Sequence, residues 1–245
     1  MCLLPKKGDL QQIRNWRPVS LLNTDYKIVS KVLAMRLKNV ISLLIGNDQT
    51  YCIPDRSIYD SIFLVRDLIA IGQTVPQGFG LLLLDQEKAF DSVDHSFLFA
   101  VLTRAGFGEK FISCIKILYR NASCLLKVNN TLCHPFPFQC GIRQGCPLSG
   151  MLYTLSVEPQ LALLRTSLSG LSLSNSPNIV ASAYADDLCV VVKNPKDVSE
   201  LSRCLAKFEL SSSARVNWNK SVALQLYPDT RSSSHSSCAL LPTLP

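Results

Sequence analysis

The stretch IVASAYADDLCVVV, residues 179–192, decides the fold. It holds two runs of small and β-branched residues that are separated only by Asp186 and Asp187. The pattern predicts a β-hairpin whose strands are 179–185 and 188–192, with the two acids at its tip. A polar hairpin turn is the commonest explanation of an isolated Asp-Asp pair, so the chemistry depends on what accompanies it.

A third carboxylate ends another apolar run. The sequence FGLLLL at 79–84 predicts a strand buried on both faces that ends at Asp85. If this strand is a neighbour of the hairpin, Asp85 converges with Asp186 and Asp187. Such a cluster of like charges is costly without a cation or shifted protonation, and hard oxygen ligands favour Mg²⁺. Two such ions can support in-line phosphoryl transfer.

Apolar spacing and capping residues divide the remaining chain mainly into helices. The sequence also predicts one further strand, at 124–128, and a loop rich in glycine at 141–145. After residue 227 the chain turns to Ser, Thr and Pro without periodicity, which predicts disorder over 229–245. The predicted helices are 23–44, 60–71, 96–104, 109–119, 148–164 and 198–210.

Composition limits the functional classes. The net charge of +7 is concentrated near the N-terminus, where residues 1–66 carry ten Lys and Arg against five Asp. This surplus suits a polyanionic partner, although an ordinary basic surface explains it equally well. The apolar runs are too short to cross a bilayer, and the N-terminus does not look like a signal peptide. We expect an intracellular protein that is not secreted, whose ten scattered cysteines are mostly reduced core residues.

Four segments, in order, resemble the reverse transcriptases of LINE-type (non-LTR) retrotransposons, and each is weak alone. Tyr184–Asp187 matches the Tyr-x-Asp-Asp box of these enzymes, and LDQEKAFDSVDH at 84–95 precedes it at a family-like distance. Together the matching segments cover nearly everything from residue 4 to 227. The other segments are LPKKGDLQQIRNWRPVSLLNTDYKIVSKVLAMRL at 4–37, GIRQGCPLSGMLYTLSVEP at 141–159 and ARVNWNKS at 214–221.

The resemblance implies an α+β fold of the right-hand polymerase type, with an antiparallel palm sheet packed on helices. It places a fingers lobe at 1–78, a palm lobe at 79–228 that can include fingers insertions, and an atypical tail at 229–245. The implied activity is RNA-directed DNA polymerisation, in which a dNTP is added to a DNA primer on an RNA or DNA template. Two Mg²⁺ ions, with Mn²⁺ as a substitute, would be held mainly by Asp85 and Asp186, with Asp187 a weaker member.

By the same resemblance, other residues receive roles that compete with simpler explanations. Phe90 resembles the steric gate that rejects a 2′-hydroxyl, although a core phenylalanine would have the same surroundings in sequence. Gln144 and Gly145 belong to a loop that could touch the nucleotide or the template, or form only a turn before a helix. The remaining candidates are Lys6, Lys7, Arg17 and Arg56 as cations for the triphosphate or template backbone, or a solvated basic face, and Lys220 as a proton donor to pyrophosphate.

Departures from the family pattern leave a second hypothesis open. Asp55 precedes Arg56 and Ser213 precedes Ala214 at positions where glycine is usual in the family. The full-length family also has an endonuclease and a thumb, for which 245 residues leave no room. We therefore weigh the polymerase against a truncated, catalytically silent retroelement remnant that at most binds nucleic acid. A metal-dependent nuclease is disfavoured, because no histidine or further acid cluster accompanies the three aspartates.

Overall fold

The structure is a computed structural model that describes residues 1–6, 8–129, 131–173 and 177–227. Helices and antiparallel sheets are both present, as expected for the α+β class. The helices are α1 (Thr24–Lys38), α2 (Ile41–Leu44), α3 (Ile58–Gly72), α4 (Ala89–Ser92), α5 (His95–Arg104), α6 (Glu109–Tyr119), α7 (Ser149–Ser167) and α8 (Pro195–Ser212). The strands are β1 (Cys2–Pro5), β2 (Trp16–Val19), β3 (Phe79–Leu84), β4 (Gln86–Glu87), β5 (Ser123–Cys124), β6 (Lys127–Val128), β7 (Thr131–Leu132), β8 (Phe136–Pro137), β9 (Ala181–Tyr184), β10 (Asp187–Val192), β11 (Arg215–Val216) and β12 (Val222–Leu226).

The chain forms two compact units, each built from two segments. The first unit comprises Met1–Leu44 with Phe90–Ser156, and the second comprises Ile45–Ala89 with Val157–Pro245. Neither unit coincides with the predicted fingers at 1–78 or palm at 79–228. Those lobes are functional divisions that compactness does not define, so their boundaries stay a prediction. The tail predicted at 229–245 lies outside the described residues.

The second unit is organised around a four-stranded antiparallel sheet in the order β12-β3-β10-β9. The buried strand β3 and the hairpin of β9 and β10 are confirmed, but the turn predicted at Asp186 and Asp187 is wrong by one residue, because Asp187 pairs with Tyr184 as the first residue of β10. Adjacent residues Leu81 and Leu82 are both buried, so both faces of the sheet are covered. Helix α8 packs against β10, and α3 contributes Leu68 to a core cluster beside β3 and β10. The buried members of this cluster are Leu68, Phe79, Leu81, Leu171, Cys189 and Val191.

The first unit combines a small sheet with helices α1, α5 and α6. Strand β1 pairs antiparallel with β2 and parallel with β6, which gives the order β2-β1-β6-β7. Helix α5 begins at the capping residue Asp94, whose side chain accepts a hydrogen bond from Phe97 N, and it packs against α6. Leu37, Leu98 and Ile115 lie in the buried part of this unit.

Two predicted elements are interrupted. The helix predicted over 23–44 is confirmed for 24–38 and 41–44 but is interrupted at 39–40, where Asn39 caps α1 by donating its N–H to the Arg36 and Leu37 carbonyls and α2 then begins at Ile41. The strand predicted at 124–128 is wrong as a single element, since β5 pairs with β8 whereas β6 pairs with β1 and β7. The sequence shows one continuous run here because the pattern of residues does not record which strand each part pairs with.

The buried face of α1 differs in part from its prediction. The helical spacing of apolar residues predicts that Ile28, Val32, Leu33 and Leu37 face the core. Leu33 and Leu37 are buried as predicted, together with Ser30 and Ala34, whereas Ile28 and Val32 are 58% and 45% exposed. Apolar residues occur on more than one side of this helix, so spacing alone admits two stripes and tertiary packing selects one.

The nine cysteines in the described residues are all free thiols. The prediction that most are core residues is confirmed for four of them and wrong for the four that are exposed. None of the helices in the described part of the chain combines the length and apolarity needed to span a membrane. The buried cysteines are Cys124, Cys146, Cys189 and Cys204, and the exposed ones are Cys52, Cys114, Cys133 and Cys140.

Both positions where the family favours glycine have left-handed backbone here. Ser213 follows α8 with φ 65° and donates its N–H to Glu209 O, and Asp55 has φ 61°. A side chain with a Cβ costs about 1–2 kcal/mol in this region, whereas glycine enters it freely. The structure therefore supplies the physical reason for the glycine preference.

We expect Ser213→Gly to raise the free energy of unfolding by about 0.5–1 kcal/mol, after the larger backbone entropy of glycine in the unfolded chain is subtracted. Urea denaturation of the purified chain measures this difference. Ser213→Ala is the matched control, because it removes the hydroxyl but keeps the Cβ. An equal gain in the alanine variant would contradict the backbone explanation.

Candidate active site

The pairing of β3 with β10 brings the predicted carboxylates together. Leu84 lies opposite Leu188, and continuing this register by one residue sets Asp85 beside Asp187. On the other side of β10, Asp187 pairs with Tyr184, so that only Ala185 and Asp186 form the turn. All three aspartates thus meet at one edge of the sheet, as the sequence predicted if the strands were neighbours.

The electrostatics of this edge favour protonation or cation binding. Partial burial, followed by the negative charges of Asp186 and Asp85, raises the pKa of Asp187 above its ordinary value. Within the described residues, no ion pair involves Asp85 or Asp187. The negative charge at this edge is therefore not neutralised by a basic side chain bound to either of these two acids.

The donor chemistry of this edge fits a divalent cation. Carboxylate oxygens are the ligands that Mg²⁺ prefers, and a cation would offset the negative charges that Asp186 and Asp85 place beside Asp187. The described residues contain no group of three or more His, Cys, Asp or Glu side chains already arranged to hold a metal ion. The individual roles of Asp85, Asp186 and Asp187 as ligands stay predictions.

The backbone of Asp85 is held from a segment 136 residues later in the chain. Asp85 N donates to Ser221 Oγ at 3.2 Å, and Asn217 N donates to Asp85 O at 2.8 Å. Ser221 Oγ in turn donates to Asn217 O at 2.9 Å. The segment 214–221 therefore positions Asp85. The sequence resemblance of this segment to reverse transcriptases gave no role to Ser221 or Asn217. No local pattern in the sequence signals this contact.

A cleft of about 430 Å³ opens beside the carboxylates. One wall is the sheet face that carries Asp85 and Asp187, and the other is helix α3. Lys220, which is exposed, lines the same cleft as Asp85 and Asp187. Its catalytic role stays a prediction. The cleft is lined by Ile58, Ser61, Ile62, Val65, Leu83, Leu84, Asp85, Ser182, Tyr184, Asp187, Leu188, Cys189 and Lys220.

Arg56 was predicted to bind phosphate, but its guanidinium is engaged within the chain. Its Nη1 donates to Gly46 O and to Gln49 O at 2.8 Å, and its Nη2 donates to Ile45 O at 3.2 Å and Asn47 Oδ1 at 3.3 Å. These bonds give Arg56 a positioning role in the 45–49 loop. Contact with phosphate stays a prediction for this residue.

The predicted gate, Phe90, lies in the first unit. Its ring stacks on Tyr153 with centroids 4.1 Å apart and planes 16° apart. Phe90 O also accepts a hydrogen bond from Ile142 N at 2.6 Å. The stacked ring has a defined orientation, which a steric gate requires and which a packing role would equally produce.

The loop that begins at Gly141 uses its glycines to approach the chain itself. A Cβ on Gly145, which has φ 103°, would lie 2.8 Å from Ser20 O. Gln144 donates its side-chain amide to Asp91 Oδ1 at 3.1 Å, and Gln144 O accepts from Ser20 N at 2.9 Å. Close approach of the backbone to Ser20 is therefore sufficient reason for a glycine at 145. Contacts of Gln144 and Gly145 with nucleotide stay predictions.

Two of the predicted cations lie on one hairpin. Arg17 is in β2, opposite Leu4 of β1, and the N–H of Lys6 extends this ladder by donating to Asn15 O at 2.7 Å. Both side chains are exposed, and neither takes part in an ion pair among the residues that the structure describes. They remain available for an anionic partner. Lys7 lies outside the described residues.

Comparison with known families identifies the class to which this fold and these carboxylates belong. The family model "Reverse transcriptase (RNA-dependent DNA polymerase)" matches residues 4–237. The chain belongs to this family. It is a reverse transcriptase domain of the non-LTR retrotransposon type, as the ordered motifs indicated.

The relatives it matches are proteins of transposable elements. The chain is 48% identical, over 91% of its length, to the transposon TX1 uncharacterized 149 kDa protein of Xenopus laevis, of which it spans 17%. It is 25% identical, again over 91% of its length, to a retrovirus-related Pol polyprotein from the type-1 retrotransposable element R2 of Popillia japonica, of which it spans 31%. The chain thus corresponds to less than a third of the length of either relative.

Solved structures agree on the fold. An apo telomerase from Candida tropicalis, truncated from its C-terminal domain, has a TM-score of 0.59 at 17% identity. The alignment covers 85% of this chain and 42% of the telomerase chain. The Candida tropicalis telomerase in complex with a TWJ fragment of telomeric RNA has a TM-score of 0.58 at 15% identity. The alignment covers 80% of this chain and 33% of that telomerase chain. At these identities the likeness concerns the fold alone.

We expect Asp187→Asn to increase the free energy of unfolding at neutral pH without divalent cations, because it removes a charge that burial, Asp186 and Asp85 disfavour. The folded chain binds the Asp187 proton more tightly than the unfolded chain. The wild type therefore loses stability as pH rises through the interval between the unfolded and folded pKa values of this carboxyl. The gain from Asn is full above that interval and absent below it.

Urea denaturation at neutral and acidic pH measures this dependence. Asp67→Asn is the control, because Asp67 is exposed and paired with Arg66, and we expect no comparable gain there. Added Mg²⁺ should stabilise the wild type more than Asp187→Asn. A variant less stable than the wild type at neutral pH would contradict this account of the carboxylates.

Proposed function

We propose that this chain carries the polymerase site of a retrotransposon reverse transcriptase. The reaction is transfer of a deoxynucleotide from a dNTP to the 3′-hydroxyl of a DNA primer on an RNA or DNA template. The observation that carries the proposal is the convergence of Asp85 with Asp186 and Asp187 at one sheet edge, in a chain of the reverse transcriptase family.

Reverse transcriptases generally use divalent metal ions, and the carboxylate edge supplies suitable ligands. Asp85, Asp186 and Asp187 would hold two Mg²⁺ ions, for which Mn²⁺ can substitute. When bound, these ions neutralise charge on the reacting phosphates and lower the cost of ionising the primer hydroxyl. The positive charge would also offset the repulsion from Asp186 and Asp85, which together with the larger effect of burial raises the pKa of Asp187.

The chain's own side chains have separate parts in this proposal. Lys220, in the cleft with Asp85, would donate a proton to the departing pyrophosphate. Lys6 and Arg17, exposed on one hairpin, would bind phosphates of the template or the triphosphate. Phe90 would stand against the sugar of the incoming nucleotide, with Gln144 nearby in the same unit.

The proposed partners are an RNA template, a DNA primer and a dNTP. The family description names RNA-dependent DNA synthesis, and a telomerase of similar fold was solved with an RNA fragment. The exposed cations near the N-terminus add the electrostatic attraction that a phosphate backbone needs. The silent-remnant hypothesis has no structural observation of its own and is an outcome of the experiment below.

The purified chain should extend a DNA primer on an RNA template in the presence of Mg²⁺ and dNTPs. Asp186→Asn should lower the extension rate by at least about 1,000-fold, because an amide removes a charged ligand without changing side-chain size. Gel analysis of labelled primer measures both rates. Circular dichroism and thermal unfolding establish that each sample is folded.

Asp67→Asn serves as a matched control for this assay, since it replaces an exposed carboxylate that pairs with Arg66. It should extend the primer at the wild-type rate. Folded wild type that extends no primer, with Mg²⁺ or Mn²⁺, would overturn the polymerase proposal and favour a silent remnant.

Phe90→Ala should reduce discrimination against ribonucleotides by about 10- to 100-fold, because the stacked ring would no longer exclude a 2′-hydroxyl. Single-nucleotide incorporation with dNTP and rNTP gives the two kcat/KM values whose ratio decides this. Phe107→Ala is the control, since it disrupts another stacked pair, Phe107 with Phe111, in the same unit. An unchanged ratio in Phe90→Ala would reduce Phe90 to a packing residue for Tyr153.

A further inference from the structure

A buried glutamine contacts both backbone groups of the residue that precedes Asp186. Gln49 Oε1 accepts from Ala185 N at 3.2 Å, and Gln49 Nε2 donates to Ala185 O at 3.4 Å. The Gln49 residue has no solvent exposure. One side chain, 136 residues away in sequence, thus brackets the first residue of the turn that carries Asp186.

The orientation of this amide is determined by its neighbours. Gln49 Oε1 also accepts from Tyr51 N at 2.9 Å, so that two backbone donors meet the same atom. Exchanging the oxygen and nitrogen would set an NH₂ group against both N–H groups, which cannot bond to it. The assigned orientation is the one that satisfies all three backbone groups.

Ala185 is a position where such support has a physical purpose. Its φ is 55°, in the left-handed region, although it carries a Cβ. This conformation costs about 1–2 kcal/mol for an alanine and persists only where the surroundings hold it. The direction in which Asp186 leaves the turn depends on that backbone angle, so the contacts to Ala185 also control the Asp186 carboxylate.

The segment that supplies Gln49 is itself tightly fixed to the sheet. Thr50 N donates to Ala183 O at 3.0 Å, and Ala183 N donates to Asp48 O at 2.6 Å. Gln49 therefore lies along the edge of β9 that faces away from β10, where it forms a parallel β-bridge with Ala183. From the other side, Arg56 binds the carbonyls of the 45–49 loop. Gln49 is thus presented to the turn by a loop that hydrogen bonds hold on two sides.

We propose that Gln49 is a positioning residue for the polymerase reaction: its amide holds Ala185 in the left-handed conformation and thereby aims the carboxylate of Asp186. This inference rests on the proposed function for its effect on catalysis. The contact itself does not. Arg56 supports this contact indirectly, because its hydrogen bonds hold the loop that carries Gln49.

Gln49→Met tests the proposal, because it keeps the length of the side chain and removes its hydrogen bonds. Amide hydrogen exchange at Ala185 should become at least about tenfold faster, while Cys189 in the middle of β10 is unchanged. The kcat for primer extension should fall by about 10- to 100-fold with a nearly constant KM for dNTP, as expected when a reacting group is misplaced.

Ala185→Gly provides a rescue that a general loss of stability would not show. Glycine adopts φ 55° without a Cβ penalty, so Gln49→Met combined with Ala185→Gly should recover at least about tenfold of the lost kcat. Asp197→Asn is the control for stability: Asp197 is buried and accepts hydrogen bonds from Ser169 N and Lys193 N, both outside the turn. It should lower thermal stability and leave kcat within about twofold.

Each result decides the proposal. Unchanged exchange at Ala185 in Gln49→Met, a kcat loss no greater than that of Asp197→Asn, or no recovery with Ala185→Gly would overturn it. If Gln49→Met does not fold, Gln49→Glu takes its place, because it keeps the acceptor but sets an oxygen against Ala185 O. Wild-type amide exchange at Ala185 and wild-type kcat in Gln49→Glu would also overturn the proposal. Wild type that extends no primer would refute the proposed function, while the exchange measurement would still decide whether Gln49 holds the turn.

Discussion

The register of β10 against β3 is the constraint on which the carboxylate site depends. Pairing Leu84 with Leu188 sets Asp85 beside Asp187, and a slip of one residue would turn the acids to opposite faces of the sheet. Because β3 and β10 are apolar on both faces, their buried residues alone would tolerate a slip, but a slip would draw a carboxylate at the strand end in among those buried residues, which is costly. The cost of burying a charge therefore determines where the carboxylates meet.

The same arrangement has an electrostatic and conformational cost. Asp187 has a raised pKa in the company of Asp186 and Asp85, and Ala185 has a left-handed backbone. Distant segments compensate for this cost by hydrogen bonding to the backbone. Ser221 and Asn217 hold Asp85, and Gln49 holds Ala185. Strain and charge at a site, supported by neutral polar groups around it, are typical of sites selected for catalysis rather than for stability.

Much of the fold was predictable because its signals are local. The buried run of β3, the hairpin of β9 and β10 and helix α6 follow directly from apolar pattern and turn residues. The choice of buried stripe on α1 did not follow, since several faces of that helix are apolar and only packing selects one. The break at Asn39 did not follow either, because apolar residues continue at helical spacing on both sides of it. The intrachain bonds of Arg56 were also not predictable, because a cation near a family motif has several potential partners and the sequence does not rank them.

By itself, the sequence determined the family, the hairpin with its paired acids and the identity of the three aspartates, because each is written in a few contiguous residues. Only the tertiary structure decided how these aspartates are oriented and supported. Gln49 and Ala185 are 136 residues apart, as are Asp85 and Ser221, and hydrogen bonds across such separations leave no periodicity or local motif. They arise when the buried strands pair, so that folding itself creates the contacts that aim the site.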